Sequence, residues 1–275
     1  MQPVPTITGT TRFISLLGHP TDQVQSPKPV NAWFVSHQVD AVMIAVDILA
    51  DGVSHFLEAM RRTENCAGIS VTMPHKQAAY AHADRLTDRA RLAGAVNIMR
   101  RDADGALTGD MVDGQAMIMA LTAHGVAVAD KVALVVGAGG AGAAISHALA
   151  EAGARALVLI ERDGARLKGL RRQIATRYPE IPIHDALPDG LSVNIAINAS
   201  PVGMRAGDPY PFPLSRLSNA QIIADAVTKP SVTPWLQEAQ RLGLKTQAGA
   251  AMTLAQLPTQ LEFWGIRPGS TIDPA

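Results

Sequence analysis

The sequence predicts an α/β fold, on three observations. The apolar run Val132-Ala-Leu-Val-Val136 feeds a full G-x-G-x-x-G turn, Gly137-Ala138-Gly139-Gly140-Ala141-Gly142, which opens a helix-like segment. A second apolar run, Ala156-Leu-Val-Leu-Ile160, follows at βαβ distance and ends at Glu161, where an acidic residue meets the adenine ribose of a bound dinucleotide. Elsewhere short apolar runs alternate with amphipathic segments, without an internal repeat. In such a turn the first glycine permits the tight bend, the second lets the backbone approach a pyrophosphate, and the third lets helix and strand pack. The free N–H groups of the helix then face the phosphates. A glycine-rich turn that binds nothing satisfies the same pattern; the second run and Glu161 favour the dinucleotide.

In chain order, residues 13–17 and 41–45 are apolar runs of strand length. Between them, residues 27–38 are predicted as a helix. Residues 52–62 carry Val53, Phe56, Leu57 and Met60 at helical spacing. Residues 68–72 form a further strand, stopped by Pro74 at a turn or a helix start. Residues 113–124 read as a helix leading into the dinucleotide unit. Beyond that unit, residues 193–197 and 222–225 are strands, and residues 250–264 an amphipathic helix.

Composition narrows the class. With 275 residues, 47% of them hydrophobic, the chain exceeds one comfortable core. Lys and Arg (24) balance Asp and Glu (24), so the electrostatic footprint of a nucleic-acid binder is missing. Cys66 is the only cysteine, which excludes an internal disulfide. The start Met1-Gln-Pro-Val-Pro5 lacks a charged region followed by a long apolar one, and no apolar segment approaches the roughly 18–20 residues that span a bilayer. The expectation is a cytoplasmic protein with no membrane partner. No histidine has a metal-ligand spacing such as H-E-x-x-H, so no metal is expected, and His19 and His75 read as structural or surface groups. Ser200 lacks the G-x-S-x-G elbow of a hydrolase nucleophile. Arg166, Lys168, Arg171 and Arg172 read either as a phosphate site or as a solvated helix face.

Two further segments, Gly68-Ile-Ser-Val-Thr72-Met-Pro74-His-Lys76 and Gly109-Asp-Met-Val-Asp113-Gly114, resemble signatures of the shikimate dehydrogenase family. The first is similar to G-x-x-V-T-x-P-x-K, which carries a catalytic lysine, and the second to G-x-N-T-D-x-x-G, which carries its paired aspartate. The resemblance runs along nearly the whole chain. It includes Gly18-His-Pro20 through Ser26-Pro27 and Asn31, Gly94-Ala-Val-Asn97, the glycine turn, Asn198-Ala-Ser-Pro201-Val-Gly203-Met204 and Met252-Thr-Leu-Ala-Gln256. It implies an N-terminal α/β substrate domain over residues 1–113 and a Rossmann domain over 114–248. A C-terminal helical segment, 249–275, would pack back on the first domain, with the active site in the cleft between the two.

The resemblance assigns Lys76 and Asp113 as the catalytic pair. By spacing alone Lys76 is a solvated lysine at a helix start and Asp113 a helix N-cap. Chemically, oxidising a secondary alcohol needs a group to take the hydroxyl proton as hydride leaves, and a lysine beside a carboxylate does that. Ser26, Ser70, Thr72, Asn97, Thr228 and Gln256 are assigned to the substrate, although Asn97 and Gln256 serve equally as amides satisfying loop backbone. Gly137, Ala138, Gly139, Gly140, Ala141, Gly142, Glu161, Arg162, Asn198, Ala199, Ser200, Val202, Met204 and Gly249 are assigned to the cofactor. Departures from the family pattern are Ser70 for asparagine, Val24 for the first serine of a carboxylate-binding pair, Met111 and Val112 for N-T, and Thr228 where a tyrosine usually follows Asp225.

The expected activity is oxidation of a ring hydroxyl on a cyclic polyhydroxy carboxylic acid such as quinate, shikimate or an amino analogue, by a monomer or homodimer. A nucleotide-linked sensor that keeps the fold and lacks turnover is the alternative. NADP-using relatives often show Asn-Arg-Thr after the second Rossmann strand, where this chain has Glu161-Arg162-Asp163. Glu161 accepts hydrogen bonds from both ribose hydroxyls of NAD and repels a 2′-phosphate, so NAD is expected, with Arg162 leaving NADP possible.

Overall fold

The computed structural model describes residues 6–268. The chain divides into two compact units: residues up to Val112 together with those from Gln256 onward, and Asp113–Ala255. The division falls at 112/113 and 255/256, against expected boundaries at 113/114 and 248/249.

The first unit runs β1 (Arg12–Gly18), α1 (Pro27–Ser36), β2 (Ala41–Asp47), α2 (Val53–Arg61), β3 (Cys66–Val71), α3 (Lys76–His82), β4 (Arg85–Leu86), α4 (Asp88–Ala93), β5 (Ile98–Arg101) and β6 (Leu107–Asp110). Its sheet has the order β2-β1-β3-β5-β6-β4. β2, β1 and β3 are parallel, so their carboxyl ends at Gly18, Asp47 and Val71 lie along one side of the sheet. β3 is buried at every residue, as a strand covered on both faces must be. β5 and β6 form an antiparallel pair whose turn places Gly105 at φ +81. Neither strand was expected, because Arg100, Arg101 and Asp110 break the apolar runs. Asn31 on α1 donates its amide to the Met43 carbonyl (2.9 Å) and accepts the Met43 N–H (2.7 Å), so this motif residue is occupied by backbone.

The second unit contains α5 (Asp113–Ala123), β7 (Val132–Val136), α6 (Gly140–Glu151), β8 (Ala156–Ile160), α7 (Gly164–Arg177), β9 (Ile183–His184), β10 (Ile195–Asn198), β11 (Ile222–Asp225), α8 (Pro234–Arg241), β12 (Thr246–Gln247) and α9 (Gly249–Ala255). The wholly parallel sheet has the order β12-β11-β10-β7-β8-β9. β7 shows why its run reads as continuous: Ala133 and Val135 enter the core on one face, Val132, Leu134 and Val136 that on the other. Strand order reverses between β7 and β10, the switch point at which doubly wound sheets bind ligands outside their strand carboxyl ends. At the start of α5, a Cβ on Gly114 would lie 2.2 Å from the Ala144 carbonyl oxygen of α6, so only glycine lets these helices approach this closely.

The helix expected over residues 250–264 is two: α9, and α10 (Leu257–Phe263), which belongs to the first unit. Pro258 lies in the first turn of α10, where its missing N–H costs nothing; inside a continuous helix it would remove a bond and clash with the preceding turn. Beyond α10, Trp264 donates Nε1–H to the Met99 carbonyl (3.0 Å). Its ring fills the space where a side chain on Gly68 would stand, a Cβ there lying 2.3 Å from Trp264 Cδ1. Among the described residues no helix is long and apolar enough to cross a membrane.

Candidate active site

In the first unit the carboxyl ends of three parallel strands are stitched together by backbone. Thr72 N–H donates to Leu17 (2.9 Å), His19 N–H to Met73 (3.1 Å) and Ile48 N–H to Gly18 (3.1 Å). Gly18 suits this close approach, since a Cβ would lie 2.5 Å from Thr72 Cγ2 and displace that side chain. His75 is buried and donates Nε2–H to the Ile48 carbonyl (2.7 Å), a structural role as its sequence context suggested. That bond fixes the start of α3, whose first residue is Lys76, half-buried. The Lys76 carbonyl in turn accepts the Val96 N–H (2.9 Å).

Asn97 is buried and its Oδ1 accepts the Val112 N–H (2.9 Å), while its carbonyl accepts Val71 N–H (2.7 Å). The backbone-satisfying role left open by the sequence is therefore one it performs. Thr72, Lys76 and Asn97 thus gather at the end of β3, with Ser70 buried one position before its last residue. Ser26 precedes α1 at the N-cap and makes no capping bond with its side chain. Val24 packs against the apolar cluster containing Val30 and Phe34, and Met111 and Val112 are fully buried. These three departures are apolar residues in an apolar setting. Gln256 caps α10 and accepts a bond from Gln260 (2.9 Å).

Two acidic residues of this unit escaped sequence reasoning. Asp110 is wholly buried, pairs with Arg89 and accepts the Met111 N–H (2.7 Å), holding the segment that precedes Asp113. Asp47 pairs with His19, Nδ1 to Oδ1 2.7 Å. Both partnerships join residues far apart in sequence or of variable spacing, and no local pattern announces them.

In the second unit Asp113 is the first residue of α5 and 2% exposed. The three glycines of the turn differ in what demands them. Gly137 has φ +100 and a Cβ there would lie 2.9 Å from Ser200 N; at Gly142 it would lie 1.9 Å from the Gly137 oxygen. At Gly139 a Cβ would meet nothing within 4 Å, so protein packing does not require that glycine, and it stands where a dinucleotide-binding turn uses glycine for close backbone approach. Gly140 opens α6, followed by Ala141; no side chain caps this helix and no acid lies in its first turn, leaving its positive end unopposed.

Glu161 Oε2 accepts the Ala138 N–H (2.8 Å) and Oε1 accepts the N–H groups of Arg162 (2.8 Å) and Asp163 (3.0 Å). Burial works against its charge, but these backbone donors prevail and hold the carboxyl below its usual range. Three of about four lone-pair sites are taken, leaving room for one further donor on Oε2 rather than two, and the Arg166 guanidinium stands 3.7 Å from that oxygen as an ion pair. Arg162 is exposed. Of the basic cluster, Arg171 pairs with Asp185 (2.6 Å) and Lys168 and Arg172 face solvent.

Asn198, the last residue of β10, organises the loop that follows. Its Oδ1 accepts Ser200 N–H (3.1 Å) and O–H (2.7 Å), and its Nδ2 donates to the Val202 carbonyl (2.9 Å) and to Asp225 (3.0 Å). Ala199 abuts the glycine turn and Met204 N–H closes a turn on Pro201 (3.2 Å). Asp225, which sequence reasoning treated only as a strand end, also accepts Val227 N–H (2.9 Å) and Thr233 O–H (2.8 Å). Burial pushes its carboxyl up to about 6 against these bonds. Thr228 follows, half-buried. Gly249 opens α9 close against this segment, where a Cβ would be 2.3 Å from the Val227 oxygen. The glycine turn, Glu161 and the residue 198–204 loop all follow β7, β8 and β10, and this arrangement fits a dinucleotide.

Residues 16–99 match a sequence family described as the shikimate dehydrogenase substrate binding domain. The chain is 36% identical over 270 residues to shikimate dehydrogenase (NADP(+)) of Rubrobacter xylanophilus, covering 96% of this chain and 95% of that protein. It is 34% identical over 276 residues to the enzyme so named in Rhodospirillum rubrum, covering 95% of each. It is similar to a solved shikimate dehydrogenase in complex with NADP+ (TM-score 0.86, 28% identity, 97% of this chain and 94% of that one). A shikimate 5-dehydrogenase from Listeria monocytogenes in complex with shikimate and NAD is also similar (TM-score 0.83, 28% identity, 97% and 96%).

Proposed function

Because the chain belongs to the shikimate dehydrogenase family, oxidoreductases acting on a CH–OH group, we propose that it oxidises a ring hydroxyl of a shikimate- or quinate-type acid to the ketone, reversibly and with NAD preferred. In this reading the first unit holds the hydroxy acid and the second the dinucleotide. The observation that carries it is the glycine turn, where Gly139 clears space that protein packing does not use, ahead of an uncapped helix. When bound, the nicotinamide supplies a hydride acceptor. Lys76 takes the hydroxyl proton and Asp113 orients the lysine. Thr72 and Asn97, gathered with Lys76 at the end of β3, hold substrate oxygens, with Ser26, Ser70, Thr228 and Gln256 as further contacts.

The preference for NAD rests on Glu161. Its carboxylate is charged, fixed by three backbone donors and adjacent to the glycine turn. It has an acceptor site for a ribose hydroxyl and opposes a 2′-phosphate by like charge. The curated relatives are named for NADP(+), so cofactor choice is a property of this chain to be measured.

The test is a panel of cyclic polyols and hydroxy acids with NAD and NADP, following reduced-cofactor absorbance. Lys76→Ala is expected to lower kcat by roughly 10²–10⁴-fold with cofactor affinity nearly unchanged. Asp113→Asn also lowers turnover, and the double variant falls well short of additivity because the two act as a unit. Near-wild-type turnover in Lys76→Ala overturns the assignment, and binding without turnover in the wild type favours the sensor.

A further inference from the structure

His19 and Asp47 close β1 and β2 at the strand ends that meet Thr72 and Met73, and nothing in the reaction described above uses them. The geometry points to His19 as a substrate contact whose Nε2 accepts a hydrogen bond from a ring hydroxyl, with Asp47 as its positioning residue. This rests on the proposed function, because it needs the hydroxy acid to bind at the carboxyl ends of β1, β2 and β3.

A carboxylate only accepts, so the 2.7 Å contact between His19 Nδ1 and Asp47 Oδ1 places the proton on Nδ1. In the neutral ring that tautomer presents Nε2 as an acceptor. Both side chains are 44% exposed, and among the described residues Nε2 has no partner. The carboxylate is itself fixed: its Oδ2 accepts the Thr21 N–H (2.9 Å) and O–H (3.2 Å). The bond from His19 and then those from Thr21 hold Asp47 below the usual carboxylate range.

The backbone ties this pair to the segment that carries Lys76. His19 N–H donates to Met73, Ile48 N–H to Gly18, and His75 Nε2–H to the Ile48 carbonyl. Two histidines therefore dock at the end of β2: His75, buried and satisfied, on Ile48 just beyond the strand, and His19, half-exposed with a nitrogen to spare, on Asp47, its last residue. A plain staple between strands explains less, because β1 and β2 already pair over seven residues and one exposed side-chain hydrogen bond adds little to that. Carboxyl ends of parallel strands are where open α/β sheets bind ligands. A neutral acceptor selects a hydroxyl, since a substrate carboxylate offers no proton.

The experiment measures shikimate kinetics for wild type, His19→Ala, Asp47→Ala and the double variant, with cofactor affinity and thermal midpoint alongside. His19→Ala is expected to raise KM about three- to tenfold, the effect of losing one neutral hydrogen bond, with kcat within twofold and cofactor affinity and midpoint unchanged. Asp47→Ala gives a smaller rise, and the double variant matches His19→Ala. Analogues lacking one ring hydroxyl each identify the contact, since for one of them wild type and His19→Ala have equal KM. A wild-type KM in His19→Ala overturns the inference, as does a fall in kcat, cofactor affinity and midpoint together, which marks a staple. If wild type turns over no hydroxy acid, the proposed function fails on its own. Calorimetric affinity for shikimate then decides the contact, and equal or undetectable binding in wild type and His19→Ala overturns it.

Discussion

On the function proposed above, Glu161 is the side chain through which local geometry would set cofactor choice. It accepts N–H bonds from the glycine turn and from its own strand end, so its charge is fixed before any ligand arrives. Glu161→Asn removes that charge while keeping an acceptor. The ratio of kcat/KM for NAD over NADP is expected to fall roughly ten- to hundredfold, the scale of one or two charge-assisted contacts. An unchanged ratio in steady-state assays would assign discrimination to another group, Arg162 foremost. The position of Glu161 beside the glycine turn was legible in the sequence because a fixed distance separates it from the glycines. Asp225, Asp110 and Asp47 were not, because what makes each of them matter is a partner brought near only by folding: Asn198 and Thr233, Arg89, His19.

Elements were legible wherever burial on both faces leaves a continuous apolar run. β7, β8 and β11 begin and end where their runs do. β5 and β6 were hidden by charged residues at their ends, and the C-terminal helix was read through Pro258. Glycines inside elements carry more than their local conformation. Gly68 lies within β3 under the Trp264 ring, and Gly114 within α5 against the α6 backbone. Gly68→Ala and Gly114→Ala should each cost about 1–3 kcal/mol by overpacking, read as a lower urea midpoint at unchanged slope. Gly114→Ala presses on a carbonyl that cannot rotate away, so it should also depress turnover through its neighbour Asp113. Wild-type midpoints in both variants would mean that these contacts relax without strain.

At the scale of the whole molecule, two buried groups of the second unit set opposing responses to pH. His147 is 5% exposed with both ring nitrogens lacking a hydrogen bond. Burial first, then Arg177, lowers it to about 4 from 6.5. The folded state therefore binds fewer protons there, and its contribution, full above pH 6.5, is lost as pH falls toward 4. Asp225, raised to about 6 from 3.8, behaves oppositely: its contribution is full below 3.8 and lost as pH rises through 6. Each is worth up to about 3 kcal/mol, and between pH 4 and 6 they nearly cancel. Relative to wild type, urea midpoints measured across that interval should rise toward acid in His147→Leu and fall toward acid in Asp225→Asn; parallel profiles for all three would refute the compensation.

The amide of Asn31, which occupies both the N–H and the C=O of Met43, also covers part of an open sheet edge. β2 is the outermost strand of its sheet and leaves Ile44 45% exposed, the combination that recruits a further strand from a neighbouring molecule. A side chain already bonded at the middle of that strand denies an incoming chain its register. Asn31→Ala should consequently fold, yet scatter light and precipitate at concentrations where the parent remains clear.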